Sequence, residues 1–248
     1  MAKKKVVNKG AAAGTKERVL DCLAMLKKLS SKKTLEEMGP RYGIHTKKAF
    51  GVSMANMKVV AKKLMANKLG QDHELAIALW ETGWYEARMV ACMVDDPARV
   101  TSAQMDAWCN DFDNWGICDT VCFKLFDQVP GALGKVRKWA KREEEFVKRS
   151  AFALLACVAL HDNSLGNEEF EEGLELIAVA ASDERNFVKK GVVWALRGIG
   201  SRNAAMRLEA MMVAERLMEA ESAAARWVGK TALKELAGKA AKKRVEKR

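Results

Sequence analysis

Proline is scarce in this chain: 3 residues in 248, with 17 glycines. With 49% of the residues apolar and 30% charged, that composition excludes wholesale disorder. Long apolar runs are missing too. The longest is the ten-residue stretch 151–160, too short to cross a bilayer. The first residues carry lysines but no apolar stretch, so no export signal is expected. Histidine occurs three times, at widely spaced positions (His45, His73 and His161), and CxxC and HxxxH spacings are absent. Cys118 and Cys122 share a helix face but have no further ligands nearby, so a zinc site is not expected. No metal or cofactor is implied. The six cysteines sit in apolar segments without paired spacing and read as free thiols of a reducing compartment. Together these features point to a cytoplasmic protein without a membrane segment.

Charge is abundant but unevenly placed. The formal net charge is +11. Residues 1–9 contribute four lysines and no acid, and residues 238–248 contribute six cations against Glu246, so the body carries little net charge. Basic ends attract any polyanion and do not by themselves identify a DNA-binding protein. The chain divides into a basic N-terminal tail (1–14), one helical-repeat domain (15–237) and a basic C-terminal tail (238–248).

Almost every segment has the three-to-four spacing of an amphipathic helix, and none alternates with period two. Val19, Leu20, Leu23 and Leu26 form one apolar stripe. Ser53 caps a helix carrying Met57, Val60, Ala61 and Leu64. A helix over 85–94 ends at Asp95-Asp96-Pro97. Thr101 and Gln104 have capping-box spacing ahead of Met105 and Trp108. Further helices are predicted over 116–127, 131–140, 143–161, 168–181, 183–200, 203–220 and 222–237. The fold class is therefore all-α.

The later helices repeat. Phe146-Val-Lys-Arg149, Phe187-Val-Lys-Lys190 and Trp227-Val-Gly-Lys230 are separated by 41 and 40 residues. A helix pair recurring at that period predicts a curved solenoid of HEAT-like antiparallel pairs, each burying its apolar side on the next. Gly229-Lys230-Thr231 has the look of a phosphate-loop end, but Ala224 stands where the loop needs glycine. No serine or cysteine has a histidine at a spacing typical of a nucleophilic triad. The repeat instead sets Arg149, Lys190 and Lys230 in one phase, predicting cations stacked along one face. Lys190, Trp194 and Arg197 lie at i, i+4 and i+7, and Trp115 and Asp119 at i, i+4. Cations follow phosphates, and indoles pack on sugars or bases.

Asp113-Asn-Trp115-Gly-Ile-Cys-Asp119, Glu145-Phe-Val-Lys-Arg149 and Asn186-Phe-Val-Lys-Lys-Gly-Val-Val-Trp194-Ala-Leu-Arg197 resemble segments of the HEAT-repeat DNA alkylation-repair glycosylases of the AlkD type. Phe50-Gly-Val-Ser-Met54 and the basic helix after it resemble that family's N-terminal segment. The similarity runs from about residue 45 to 237. It implies a DNA N-glycosylase that binds double-stranded DNA and excises cationic alkylated bases such as N7-alkylguanine and N3-alkyladenine; a monomer is expected because nothing in the sequence demands a partner chain. It also implies Asp119 as the catalytic carboxylate, with Trp115 and Trp194 against the damaged nucleotide. Arg149 would hold the nearby phosphate and Arg197 the backbone, with Lys148, Lys189 and Lys190 as further DNA contacts. Two alternatives remain at this stage: a non-catalytic HEAT-repeat protein that binds DNA structures, and a protein-interaction scaffold.

Overall fold

Asn, Asp and Ser residues set the starts of many helices in a computed structural model that describes residues 9–66 and 70–238. Ser53 accepts from the Asn56 amide, Asp72 from Leu75, Asn114 from Ile117, Asn203 from Met206 and Ser222 from Ala225, each satisfying an amide that the first helical turn leaves open. Thirteen α-helices and no strands occur among the described residues, so the chain is all-α as its periodicity predicts. Most of the two basic tails lies outside the described residues.

The helices fall into two compact units, the first ending at Thr101 and the second beginning at Ser102. The first contains α1 (Lys9–Lys28), α2 (Lys32–Tyr42), α3 (Met54–Met65), α4 (His73–Glu81) and α5 (Tyr85–Val94). Three sequence expectations change here. Helix α1 begins at Lys9, inside the span assigned to the N-terminal tail. Its buried stripe contains Cys22 and Leu26, while Leu20 is 59% exposed, because at 100° per residue Leu20 points well away from Leu26. Helix α2 was not predicted at all: it has few apolar residues and carries Pro40 in its last turn, where the Gly43 cap ends it at φ 62°. Helices α3 and α5 bury the residues their spacing selects, and α5 stops at Asp95 as expected.

A buried carboxylate organises the loop before α3. Glu86 is fully buried and accepts the backbone amides of Phe50, Gly51 and Val52 at 2.8–3.1 Å. Gly51 sits at φ 75° beneath Leu35, whose backbone nitrogen lies 2.8 Å from where a Cβ would be, so only glycine fits. Phe50 stacks on Trp84 with ring centroids 3.9 Å apart.

The second unit contains α6 (Ser102–Asn110), α7 (Trp115–Lys124), a 3-10 turn (Phe126–Gln128), α8 (Ala132–Trp139), α9 (Glu145–His161), α10 (Glu168–Ala180), α11 (Asn186–Ile199), α12 (Ala204–Met218) and α13 (Ala223–Ala237). These boundaries follow the predicted ones closely. Helix α9 carries the apolar run and is its centre: residues 151–159 are all buried, because α7, α8 and α11 pack around it. Each large apolar side chain such as Leu154 or Phe152 contributes about 1.5–3 kcal/mol by leaving water. Asp106 ties α6 to α8, taking hydrogen bonds from Lys138 (2.7 Å) and Trp139 (2.8 Å) and an ion pair from Lys135 (2.8 Å). The Gly229-Lys-Thr segment lies within α13. A Cβ on Gly229 would collide with the Ala214 carbonyl oxygen and press on the Met218 amide, so this glycine lets α13 cross close to α12 rather than cradle a phosphate. All six cysteines are free and buried. No helix among the described residues is long and apolar enough to cross a membrane.

Candidate functional site

Helix α7 opens with Trp115, and Asp119 follows one turn later on the same side. The start is fixed by Asn114, which is buried and accepts from the Ile117 amide at 3.1 Å. Arg149 lies one turn into α9 and reaches back to α7. Its Nε donates to Asp119 Oδ1 at 2.8 Å and its Nη2 to Oδ2 at 2.7 Å. Its Nη1 donates to the Phe187 carbonyl oxygen, at the start of α11, at 2.6 Å. The guanidinium thus fastens three helices at one point. Helix α11 packs closely on α9 at this point: a Cβ on Gly191 would stand in van der Waals contact with Arg149 Cγ and the Arg149 carbonyl at 3.4 Å.

The pair is sheltered: the Arg149 side chain is 7% exposed and that of Asp119 is 19% exposed. Burial pushes the Asp119 carboxyl above its ordinary value, against the opposing charge and hydrogen bonds of Arg149 and a weaker hydrogen bond from Cys118. Burial works against the Arg149 cation as well, but the charge and hydrogen bonds of Asp119 outweigh it and the guanidinium is held above its ordinary value. Both Asp119 oxygens accept from one guanidinium fork, which is the geometry of an ionised carboxylate with a permanent cation. Each oxygen retains a further lone pair, so the exposed edge can still face a ligand.

Trp115 and Trp194 are half-buried, unlike Trp80, Trp108 and Trp139, which are core residues. Trp194 follows Phe187 and Gly191 at i+7 and i+3 on α11, on the side of that helix that meets Arg149. The remaining cations have separate surroundings. Lys148 lies 3.5 Å from Asp183, a carboxylate shared with Arg185. Lys189 sits over the Trp227 ring, 5.3 Å from its centroid. Arg197 pairs with Glu235 of α13. Lys190 is exposed, with no ion pair among the described residues.

The expected stack of equivalent cations therefore divides. Arg149 is drawn inward by Asp119, whereas Lys190 and Lys230, in the same repeat phase, are exposed and form no ion pair among the described residues. Sequence reasoning also missed the Phe187 carbonyl, which leaves no side-chain signal, and Glu86. The latter was findable: a glutamate beside Ala87 and on the stripe of Met89 and Val90 is a carboxylate on a core face. Among the described residues no cluster of three or more His, Cys, Asp or Glu side chains could hold a metal ion.

These features define a class: an all-helical repeat protein in which an arginine fixes a carboxylate between helices that also carry half-buried tryptophans. Comparison with known proteins makes the class specific. The family model of the DNA alkylation repair enzymes matches residues 22–236, and the chain belongs to that family. A solved member of a family related to the HEAT-like repeat DNA glycosylases, with affinity for branched DNA structures, is 19% identical. It superposes with a TM-score of 0.70 over 86% of this chain and 92% of its own, which establishes a shared HEAT-like fold. A designed armadillo repeat protein is also similar, at 16% identity and a TM-score of 0.36, covering 74% of this chain and 94% of its own. No curated protein matches the chain.

Proposed function

We propose that the protein is a DNA N-glycosylase that removes cationic alkylated bases, such as N7-alkylguanine and N3-alkyladenine, from duplex DNA. The observation that carries this reading is the Asp119 carboxylate, fixed by the Arg149 fork and placed one turn from Trp115. A base alkylated to a cation departs as a neutral molecule, so no acid is needed to protonate it. Positive charge develops instead on the deoxyribose, as in glycoside hydrolysis. A carboxylate held in place before the reaction stabilises that charge without having to reorganise, and its free lone pair orients the attacking water. Indole faces add cation–π attraction of about 0.5–2 kcal/mol each. An uncharged lesion would need leaving-group activation, and no group of this site supplies it.

Arg149 takes a different role in this scheme from the phosphate contact that the resemblance implies. Three of its donors are already engaged, two of them on Asp119, so it acts first as the residue that positions the carboxylate. Exposed Lys190 is the better phosphate contact, while Arg197 and Lys148 must exchange Glu235 and Asp183 for DNA. A second reading follows from the relative with affinity for branched DNA structures: a DNA-structure binder without catalysis.

Release of free base from N-methylated duplex DNA separates the two. The wild-type chain is expected to free N7-methylguanine, and Asp119→Asn to lose at least about 100-fold in rate, of the order reported for removing one electrostatic stabiliser, while still binding DNA. An Asp119→Asn, Arg149→Met double variant, which leaves no unpaired buried charge, controls for folding. Wild-type protein that binds DNA with steep salt dependence but frees no N7-methylguanine or N3-methyladenine would overturn catalysis and leave the binder.

A further inference from the structure

The outer side of α13 carries groups that the Asp119 site does not use. Trp227 is 40% exposed, the one exposed residue among the seven tryptophans. It stands at the repeat position of Phe146 and Phe187, whose rings lie 5.5 Å apart and satisfy each other. Over the Trp227 ring lies a cation instead, Lys189 Nζ at 5.3 Å from the centroid. Helix α13 turns Val228, Ala232 and Leu236 inward. On its other side Trp227, Lys230 and Lys234 follow at i, i+3 and i+7, and both lysines are exposed without a carboxylate partner among the described residues. Glu235, the nearest acid along the helix, is occupied by Arg197. Arg226, also exposed, donates to the Ala220 and Glu221 carbonyl oxygens. The result is a basic stripe headed by an accessible indole.

We propose that Trp227, Lys189, Lys230 and Lys234 form a landing site for unpaired nucleotides that adjoin a DNA duplex. This rests on the DNA-binding part of the proposed function. Bases within a duplex are already stacked on one another, so an indole can stack only on a base that has left the helix or lies beyond its end. Stacking on an aromatic side chain accepts any base and depends on no hydrogen-bond pattern. Lys230 and Lys234 are separated by about 6 Å along the helix axis, close to one step of an extended strand, so successive phosphates can meet successive lysines.

The test uses the full chain and two probes: a blunt duplex, and the same duplex with an unpaired arm. Binding is followed by fluorescence anisotropy. Wild type is expected to bind the armed probe more tightly. Trp227→Ala should lose about 5- to 160-fold in affinity for the armed probe, with blunt-duplex affinity and base release changed less than about twofold. Trp227→Phe should keep most of the preference. Replacing Lys230 and Lys234 by glutamine should lower the salt slope on the armed probe by about 1.4, the value for two single-strand phosphates. Equal loss on both probes, or no loss on either, overturns the proposal. If wild type binds neither probe, the DNA reading falls with it. If it binds and processes the blunt duplex but the arm adds nothing, this inference alone falls.

Discussion

Removing both partners of the Asp119–Arg149 pair is expected to cost less than the sum of the two single losses. The Asp119→Asn variant leaves the guanidinium of a side chain that is 7% exposed with two of its three hydrogen bonds lost or weakened. Leaving one buried charge unpaired costs about 3–5 kcal/mol; the remaining amide oxygen of asparagine and the Phe187 carbonyl retain part of the hydrogen bonding, which puts the expected loss near 3 kcal/mol. Arg149→Met strands a carboxylate that burial already disfavours, and a similar loss is expected, softened because that carboxyl can take up a proton. The double variant replaces the pair with neutral groups of comparable volume and should recover at least about 1.5 kcal/mol of the summed single losses, within the range seen for residues in direct contact. Urea unfolding at neutral pH measures all four corners of the cycle, read at constant m-value. The reasoning is refuted if each single variant lies within about 0.5 kcal/mol of wild type, or if the two losses simply add.

Two further outcomes follow from the packing and the ion pairs. Gly229→Ala should destabilise by about 1–3 kcal/mol, since the new methyl forces α13 away from α12; thermal unfolding would show it, and an unchanged melting point would mean that the two helices do not cross as closely as described. Burial raises the Asp106 carboxyl, but its bonds to Lys135, Lys138 and Trp139 prevail and bring it down to about 2. A carboxyl lowered by folding stabilises the protein above its unfolded value and loses that contribution as pH falls toward the folded one. Stability should therefore drop by about 2 kcal/mol between pH ~4 and ~2 through this group, and Asp106→Asn should flatten that part of the urea-midpoint profile.

The fold was legible wherever a local rule decided it. Ser53 and the Asp95-Asp96-Pro97 stop act within one turn of the chain, and the apolar run of α9 could only be a core helix. Helix α2 escaped because it buries only Met38 and so shows no apolar stripe; its ends are set by the Ser31 and Gly43 caps. At the site, Trp115 and Asp119 were legible because one helix carries both. Their relation to Arg149 was not: 30 residues separate the partners, and only the packing of α9 on α7 turns the arginine toward the acid. Repeat phase was misleading for the same reason. It puts Arg149, Lys190 and Lys230 in one register along the sequence, but the neighbour that the Arg149 side chain finds belongs to another helix.

The six buried cysteines have a meaning beyond core packing. Burial raises the Cys22 thiol to about 12, and it also holds Cys109, Cys122 and Cys157 above the ordinary value. At neutral pH a thiol with that value is a thiolate in only about one molecule in 10⁵, and the thiolate is the nucleophile. Alkylating electrophiles react with exposed thiolates as well as with DNA bases. A protein whose cysteines are all buried offers them few thiolates to attack, which favours its persistence under the same chemical exposure that creates its proposed substrates.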